Sequence, residues 1–288
     1  MDISFLIGQA LANGLIIGLL YLLMAIGFTL VFGVMRIANF AHGEFYMLGA
    51  FMAFVCVVHW GLPYALSVAV ALVATLVLGW FIEVAILKPF RGDELNGLIA
   101  TLGIAMVLQN LALMVFGPDP QSMPPAMEGI INVSGIVMPL SRLYVVVFSA
   151  MVLAILYVFL MHSRTGRALR AVVQDMEIAK AQGIRSHMVY PLGFALGVGL
   201  AAIAGALMAP IFSVSPFIGT APLFKSFIVV VLGGLGSIGG AVLASLLLGA
   251  AESLGSTFFD GSTADMLIFA LVILVLVMRP TGLLGRAE

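Results

Sequence analysis

Apolar residues run along the chain in long blocks, at about 5–34, 45–59, 64–87, 97–116, 143–161, 188–212, 223–254 and 265–278. A helix needs about 20 apolar residues to cross a hydrocarbon core about 30 Å thick. The blocks therefore predict about seven or eight crossings. Barrel strands would alternate apolar and polar residues in segments of about 10, whereas Leu143 to Met161 and Met266 to Met278 are apolar on every face. The pattern is that of an all-α polytopic membrane protein, with one transmembrane domain over residues 1–288.

Two interruptions stand out because they are too short and too polar or glycine-rich to be ordinary loops. The first is Arg36-Ile37-Ala38-Asn39-Phe40-Ala41-His42-Gly43-Glu44. The second, Gly233 to Gly240, holds five glycines in eight residues, each costing about 1 kcal/mol in a helix interior. It predicts either two short helices around a re-entrant turn or two tilted spans. Open backbone at membrane depth survives only where protein or water covers it, and broken helices in the two halves of a chain point to a transport site. The residues expected to line a translocation path are therefore Asn13 on the first span, Asn39, His42 and Glu44 at the first break, and Gly234, Gly236 and Ser237 at the second. The plainer reading of the first break is capping. Asn39 would end one helix in a left-handed conformation, and His42 or Glu44 would accept from amides at the next helix start. Arg36 draws this break toward the inner mouth rather than the midplane.

The chain has 12 Lys and Arg and 13 Asp and Glu in 288 residues, far below the roughly 25% charge of soluble chains. That excludes a soluble enzyme, a nucleic-acid binder and a disordered scaffold as whole-chain readings. Loop 117–142 carries five prolines, Asp119 and Glu128, with no base before Arg142, whereas loop 162–187 carries Arg164, Arg167, Arg170, Lys180 and Arg185. Cytosolic loops are rich in Lys and Arg. Loop 162–187 is therefore expected in the cytosol, with the Lys88–Arg91 turn and the C-terminus after Arg279 and Arg286, and loop 117–142 outside. Segments 211–222 and 255–264 also read as external. Met1-Asp2-Ile3 puts no base ahead of the first apolar stretch, as a span does and a cleaved leader does not. Glu83 is expected to snorkel or to pair with Lys88, and Glu252 to rest at the external interface. Arg164, Arg167 and Arg170 would face anionic lipid, at about 1 kcal/mol per base, or a partner.

Chemistry-bearing patterns are sparse. Cys56 is alone, and no histidine is spaced with another His or Cys as a metal site demands. Gly234-x-Gly236-x-x-Gly239 satisfies a dinucleotide fingerprint on paper but lacks the preceding strand. No Gly-x-x-x-x-Gly-Lys-Ser/Thr phosphate loop exists, and no Gly-x-Ser-x-Gly elbow surrounds Ser237. An ion-coupled secondary transporter would need acids deep in the bilayer.

In the cytosolic loop, Asp175 is placed to cap a short helix that Gly183 stops, with small Ala179 and Ala181 admitting another surface. Asn39 to Glu44 followed by Met47-Leu48-Gly49-Ala50, and the first-span residues Asn13, Gly14, Gly18, Tyr21, Leu23, Gly27 and Gly33, resemble the permease subunits of bacterial branched-chain amino-acid ABC importers. The Gly233–Gly240 run and the ending Arg279-Pro280-Thr281-Gly282-Leu283 resemble the same family. The chain is similar to the shorter of its two paralogous permeases. Glu177, Ala179 and Gly183 match that superfamily's coupling-helix pattern, from which Ile178 departs. The resemblance implies a bacterial inner-membrane subunit that passes aliphatic L-amino acids and binds no cofactor itself. It also implies a second permease, two cytosolic ATPases holding ATP and magnesium, a periplasmic binding protein and surrounding lipid as partners, with no nucleic acid. Related urea and short-amide importers share the first half, so those solutes stand as the alternative, and an ion-coupled secondary transporter as the alternative of another class.

Overall fold

In a computed structural model, the first apolar block forms one helix, α1 (Ile3–Met35), of 33 residues. At 1.5 Å per residue it is about 50 Å long, well beyond the roughly 30 Å it must cross. The structure describes residues 3–133, 136–234, 236–279 and 281–284, the side chains of 133 and 186 apart. Leu235, Pro280 and Arg286, which entered the readings of the second break and the C-terminus, lie outside the described residues.

The remaining helices are α2 (His42–Phe54), α3 (Tyr64–Ile82), α4 (Glu94–Phe116), α5 (Leu140–His162), α6 (Arg164–Gln174), α7 (Met176–Ala181), α8 (Ser186–Met208), α9 (Thr220–Gly233), α10 (Ile238–Phe258) and α11 (Gly261–Met278). The last turns of α2 and α3 widen into π geometry at Val55–His59 and Glu83–Leu87. Eight helical stretches among the described residues are long and apolar enough to cross a membrane. Among the described residues the one shorter apolar helix is α9, whose 14 residues, about 21 Å, are too few to cross unaided. The second break thus joins one short and one full-length helix.

Packing sorts the spans into a centre and a sleeve. α1 lies against α8 and α10, and α8 lies also against α2 and α3. Without a hydrophobic drive between helices in lipid, contacts depend on close approach at small residues. A Cβ on Gly14 would sit 2.8 Å from the Cα of Ala250, and one on Gly49 would enter the backbone of Ala202. Met106, Leu111 and Met114 of α4, and Leu271, Leu274 and Val277 of α11, point outward, as lipid-facing side chains do.

The loops hold two departures from the expected outline. Strands β1 (Ile130–Val133) and β2 (Ile136–Pro139) form a small antiparallel hairpin inside the proline-rich loop, tied to α1 where Gln9 bonds with Val137. The segment expected as loop 255–264 shrinks to Phe259–Asp260, because Asp260 caps α11 through Thr263. The Thr263 hydrogen bonds hold the Asp260 carboxyl below its ordinary range.

Lys88, Arg91, Arg164 and Arg185 line one cavity and so mark one end of the bundle, the basic end. Glu83, fully buried, pairs there with Arg91 rather than Lys88, its Oε1 accepting from Arg91 Nε at 2.7 Å. The Arg91 guanidinium lies over the Tyr190 ring, 4.4 Å from its centroid. The basic face of α6 is divided as well. Arg167 donates to the His162 carbonyl and Arg170 to the Leu160 carbonyl, closing the C-terminal end of α5. Among the described residues, Arg164 alone of the three has no such bond.

Candidate functional site

The first break is built by a reversal that climbs back into the bundle. Arg36 takes the left-handed conformation at φ 57°, so this residue, not Asn39, ends α1. Residues 37–40 then run along the start of α4, with Ile37 against Gly97 and the Thr101 hydroxyl accepting from Phe40 N at 3.2 Å. The Asn39 side chain folds onto its own turn, Oδ1 accepting from Ala41 N at 3.1 Å. No side chain caps the start of α2, so neither His42 nor Glu44 has the capping role expected of it.

His42 instead reaches α1. Its Nε2 lies 3.1 Å from the Met24 carbonyl, and since a carbonyl only accepts, the ring proton sits on Nε2. Met24 is about 17 Å along the helix from Met35. The His42 ring therefore reaches well into the bundle from a break that begins at the end of α1. Asn39, His42 and Glu44 are buried, and Asn39 Nδ2, His42 Nδ1 and Glu44 Oε2 lack a partner among the described residues. Unpaired buried polar atoms are rare enough to need a reason.

The other expected path residues lie elsewhere. The Asn13 side chain accepts from Arg142 at the end opposite the basic one, beside a cavity of about 130 Å³ that includes Ser253 and Ser256. The second break sits at the basic end. Gly234 and Gly236 take φ values of 98° and 80°, open to glycine, and Ser237 Oγ accepts from Gly240 N at 3.0 Å to start α10. Gly236 borders a cavity of about 300 Å³ with Thr29, Arg170 and Gln174. The structure thus brings Asn39, His42 and Glu44 together and spreads the rest over both ends.

Between Asn13 and His42 lies a site that sequence reasoning missed. A cavity of about 460 Å³ is walled by Ile17, Leu20, Met24, Met208 and Ile218, and carries Tyr21, Lys225 and Glu252. Lys225 Nζ is 2.5 Å from Glu252 Oε1 and 3.2 Å from Asp265 Oδ1, and the Tyr21 hydroxyl donates to Glu252 Oε2 at 2.8 Å. Glu252 is therefore held in an ion network across α1, α9, α10 and α11, not spread at the interface. A lysine and a glutamate inside one apolar block, 223–254, were the available signal, since ionisable residues in a span mark a path by default. Asn13, Ile17, Leu20, Tyr21 and Met24 share one face of α1. One turn further, Phe28 meets the His42 ring edge-on at 5.6 Å and the Phe227 ring at 5.9 Å, closing this face below the cavity.

The short cytosolic-loop helix α7 has the expected ends. Asp175 Oδ1 accepts from Ile178 N at 2.9 Å. Gly183 at φ 83° donates to the Lys180 carbonyl and Ile184 to the Ala179 carbonyl, a Schellman stop. Ala179 is buried within the chain, so it cannot receive another surface. The free face carries Glu177, Ile178, Ala181 and Gln182.

The profile of the family described as "Branched-chain amino acid transport system / permease component" matches residues 10–276. The chain belongs to this family. It is 37% identical over 295 residues to the high-affinity branched-chain amino acid transport system permease protein BraD of Pseudomonas aeruginosa, covering 97% of this chain and 96% of that one. It is also 37% identical over 297 residues to the permease LivH of Escherichia coli K12, with the same coverage. Against LivM of that organism the identity is 25%, over 71% of LivM's length. Among the branched-chain permeases the match is to the shorter paralogue. The family match takes in α2 to α10, most of α1 and α11, the whole ion network and both breaks.

Proposed function

We propose that this chain is the translocating subunit of an ATP-driven importer for aliphatic L-amino acids. The cavity beside Tyr21, Lys225 and Glu252 carries the reading. An amino acid is zwitterionic and costly to desolvate without partners. Here a fixed ammonium and a fixed carboxylate stand beside an aliphatic wall, so an incoming carboxylate and amine exchange with an existing ion pair while the side chain rests on Ile17, Leu20 and Met24. Uncharged urea or a short amide has no use for such a pair. Weak, exchangeable binding also suits passage better than a tight pocket.

In this reading the basic end and the C-terminus face the cytosol of an inner membrane, and the Asn13 end faces outward. A second, LivM-like permease completes the path, and a periplasmic binding protein delivers the solute. Two cytosolic ATPases bind ATP and magnesium and dock on the free face of α7, where Ile178 is 58% exposed. The test is reconstitution of this chain with its partner permease, ATPases and binding protein in vesicles. ATP-dependent leucine uptake is expected, with urea and acetamide failing to compete, and Glu177→Lys is expected to uncouple ATP hydrolysis from uptake. Leucine transport by this chain alone, or competition by urea, would overturn the reading.

A further inference from the structure

The cavity that marks the basic end, about 780 Å³, takes no part in the site described above. It lies at the basic end between α3, α6 and α8, and Lys88, Arg91, Arg164, Arg185 and His187 line it together with Trp80. Arg91 is committed to Glu83 and Tyr190. Lys88, Arg164 and Arg185 have no ion pair or hydrogen bond from their side chains among the described residues. This differs from the neighbouring Arg167 and Arg170, which are tied to the end of α5. Arg164 and Arg185, with Lys88 beyond its attraction to Glu83, gather positive charge around one concavity, a field that draws an anion.

The walls say which kind of anion. Trp80 and Val84 belong to the span Tyr64–Phe90, and Met188 and Leu192 to the span His187–Met208. An occupant therefore borders apolar stretches long enough to cross a membrane, a boundary position that suits a lipid better than a free ion. Val73, Val77, Trp80 and Phe81 of α3 are all more than half exposed. They recur at the i, i+4, i+7, i+8 spacing of one helix face, forming an apolar stripe that runs down the lipid side into the cavity. Tryptophan at the end of such a stripe is the residue preferred at headgroup level. Basic pockets between spans on the cytoplasmic side suit anionic headgroups, and guanidinium groups suit phosphate oxygens in particular.

We infer that this cavity binds the phosphate headgroup of one anionic glycerophospholipid, with Lys88, Arg164 and Arg185 on the phosphate and an acyl chain along Val73, Val77 and Trp80. The site does not depend on which solute the permease carries.

The test uses the full chain, purified in detergent and exposed to equal amounts of phosphatidylglycerol and phosphatidylcholine, with retained lipid read by native mass spectrometry. Wild type is expected to keep one phosphatidylglycerol against stepwise delipidation and to lose phosphatidylcholine. The double variant Arg164→Gln, Arg185→Gln is expected to weaken that retention roughly tenfold or more, while Arg167→Gln leaves it unchanged. Trp80→Ala should lower lipid retention, and inorganic phosphate should give none of the lipid's protection against heat. Equal retention of the two lipids by wild type would overturn the inference without recourse to any variant. So would wild-type retention in the double variant, or equal protection by inorganic phosphate, which would mark a free-anion site. Loss of the lipid when the ATPase subunits bind would assign the cavity to protein contact and overturn it as well.

Discussion

Residues 36–41 and residues 234–237 each separate two apolar helices, but the chain turns by different means at each. At the first, a non-glycine residue, Arg36, takes a left-handed conformation, and the segment after it buries Asn39, His42 and Glu44 inside the bundle. At the second, two glycines at positive φ and a serine cap reverse the chain at the basic end, and residues 234–237 themselves carry no charge. Its open carbonyls are covered from within, Leu283 N donating to Leu232 O and Leu284 N to Gly233 O. The first break delivers chemistry to the interior. The second delivers geometry, because the short helix it ends is what holds Lys225 opposite Glu252. A break in a span is thus not itself a site, and what it carries inward decides.

Removing close approach at the second break should do the greatest damage. A Cβ on Gly233 would lie 2.5 Å from the backbone of Gly240, and backbone cannot yield as a side chain does. Gly233→Val is expected to cost about 3 kcal/mol or more, read as loss of monodisperse protein on size exclusion. His42→Ala comes next. It removes the bond to Met24 and the edge contact with Phe28, for about 2–3 kcal/mol. Its distinguishing outcome is in transport: leucine uptake per folded complex should change beyond what the fall in thermal stability explains, because the ring also closes the face below the cavity. Stability and uptake falling in proportion across Asn13, Asn39, His42 and Glu44 variants would return the first break to a purely structural role.

Gly236→Ala isolates conformation. No atom of the described residues lies within 4 Å of the added Cβ, so the cost is the left-handed backbone, about 1–2 kcal/mol, and transport should follow stability. Arg36→Gly should act the other way and least. It relieves about 1–2 kcal/mol of left-handed strain but adds about 0.5–1 kcal/mol of unfolded-chain freedom. The melting temperature should rise slightly, and a clear fall would show that the Arg36 side chain does more than end a helix.

Much of this was legible in the chain. Uninterrupted apolar blocks give spans because lipid offers no alternative partner for the backbone, and the glycine run and the polar run mark both breaks. Asp175 and Gly183 announce α7, since cap and stop are local chemistry. What stayed hidden depended on non-local placement. Asn39 was the better intrinsic candidate for a left-handed residue, yet α1 ends at Arg36 because the next residues must run along Gly97 and Thr101 of α4. Glu83 meets Arg91 because the turn after α3 brings that guanidinium back over Tyr190. Ala179 faces inward because α7 lies on α6. The pairing of Lys225 with Glu252 joins two helices across the second break, and depth along a span cannot be read from an apolar block that contains both.

The most direct test of the claim that this pair handles the substrate is a charge exchange. Lys225→Glu with Glu252→Lys keeps an ion pair but reverses its polarity. Asp265, 3.2 Å from Lys225, is neutralised by Asp265→Asn in both the exchange variant and its reference. Each single replacement should lower thermal stability, and the double replacement should recover most of it. Leucine uptake in the reconstituted complex should stay low in the double variant, because the carboxylate and amine of the solute now meet the wrong charges. Recovery of uptake together with stability would contradict the account and leave Lys225 and Glu252 as a structural brace.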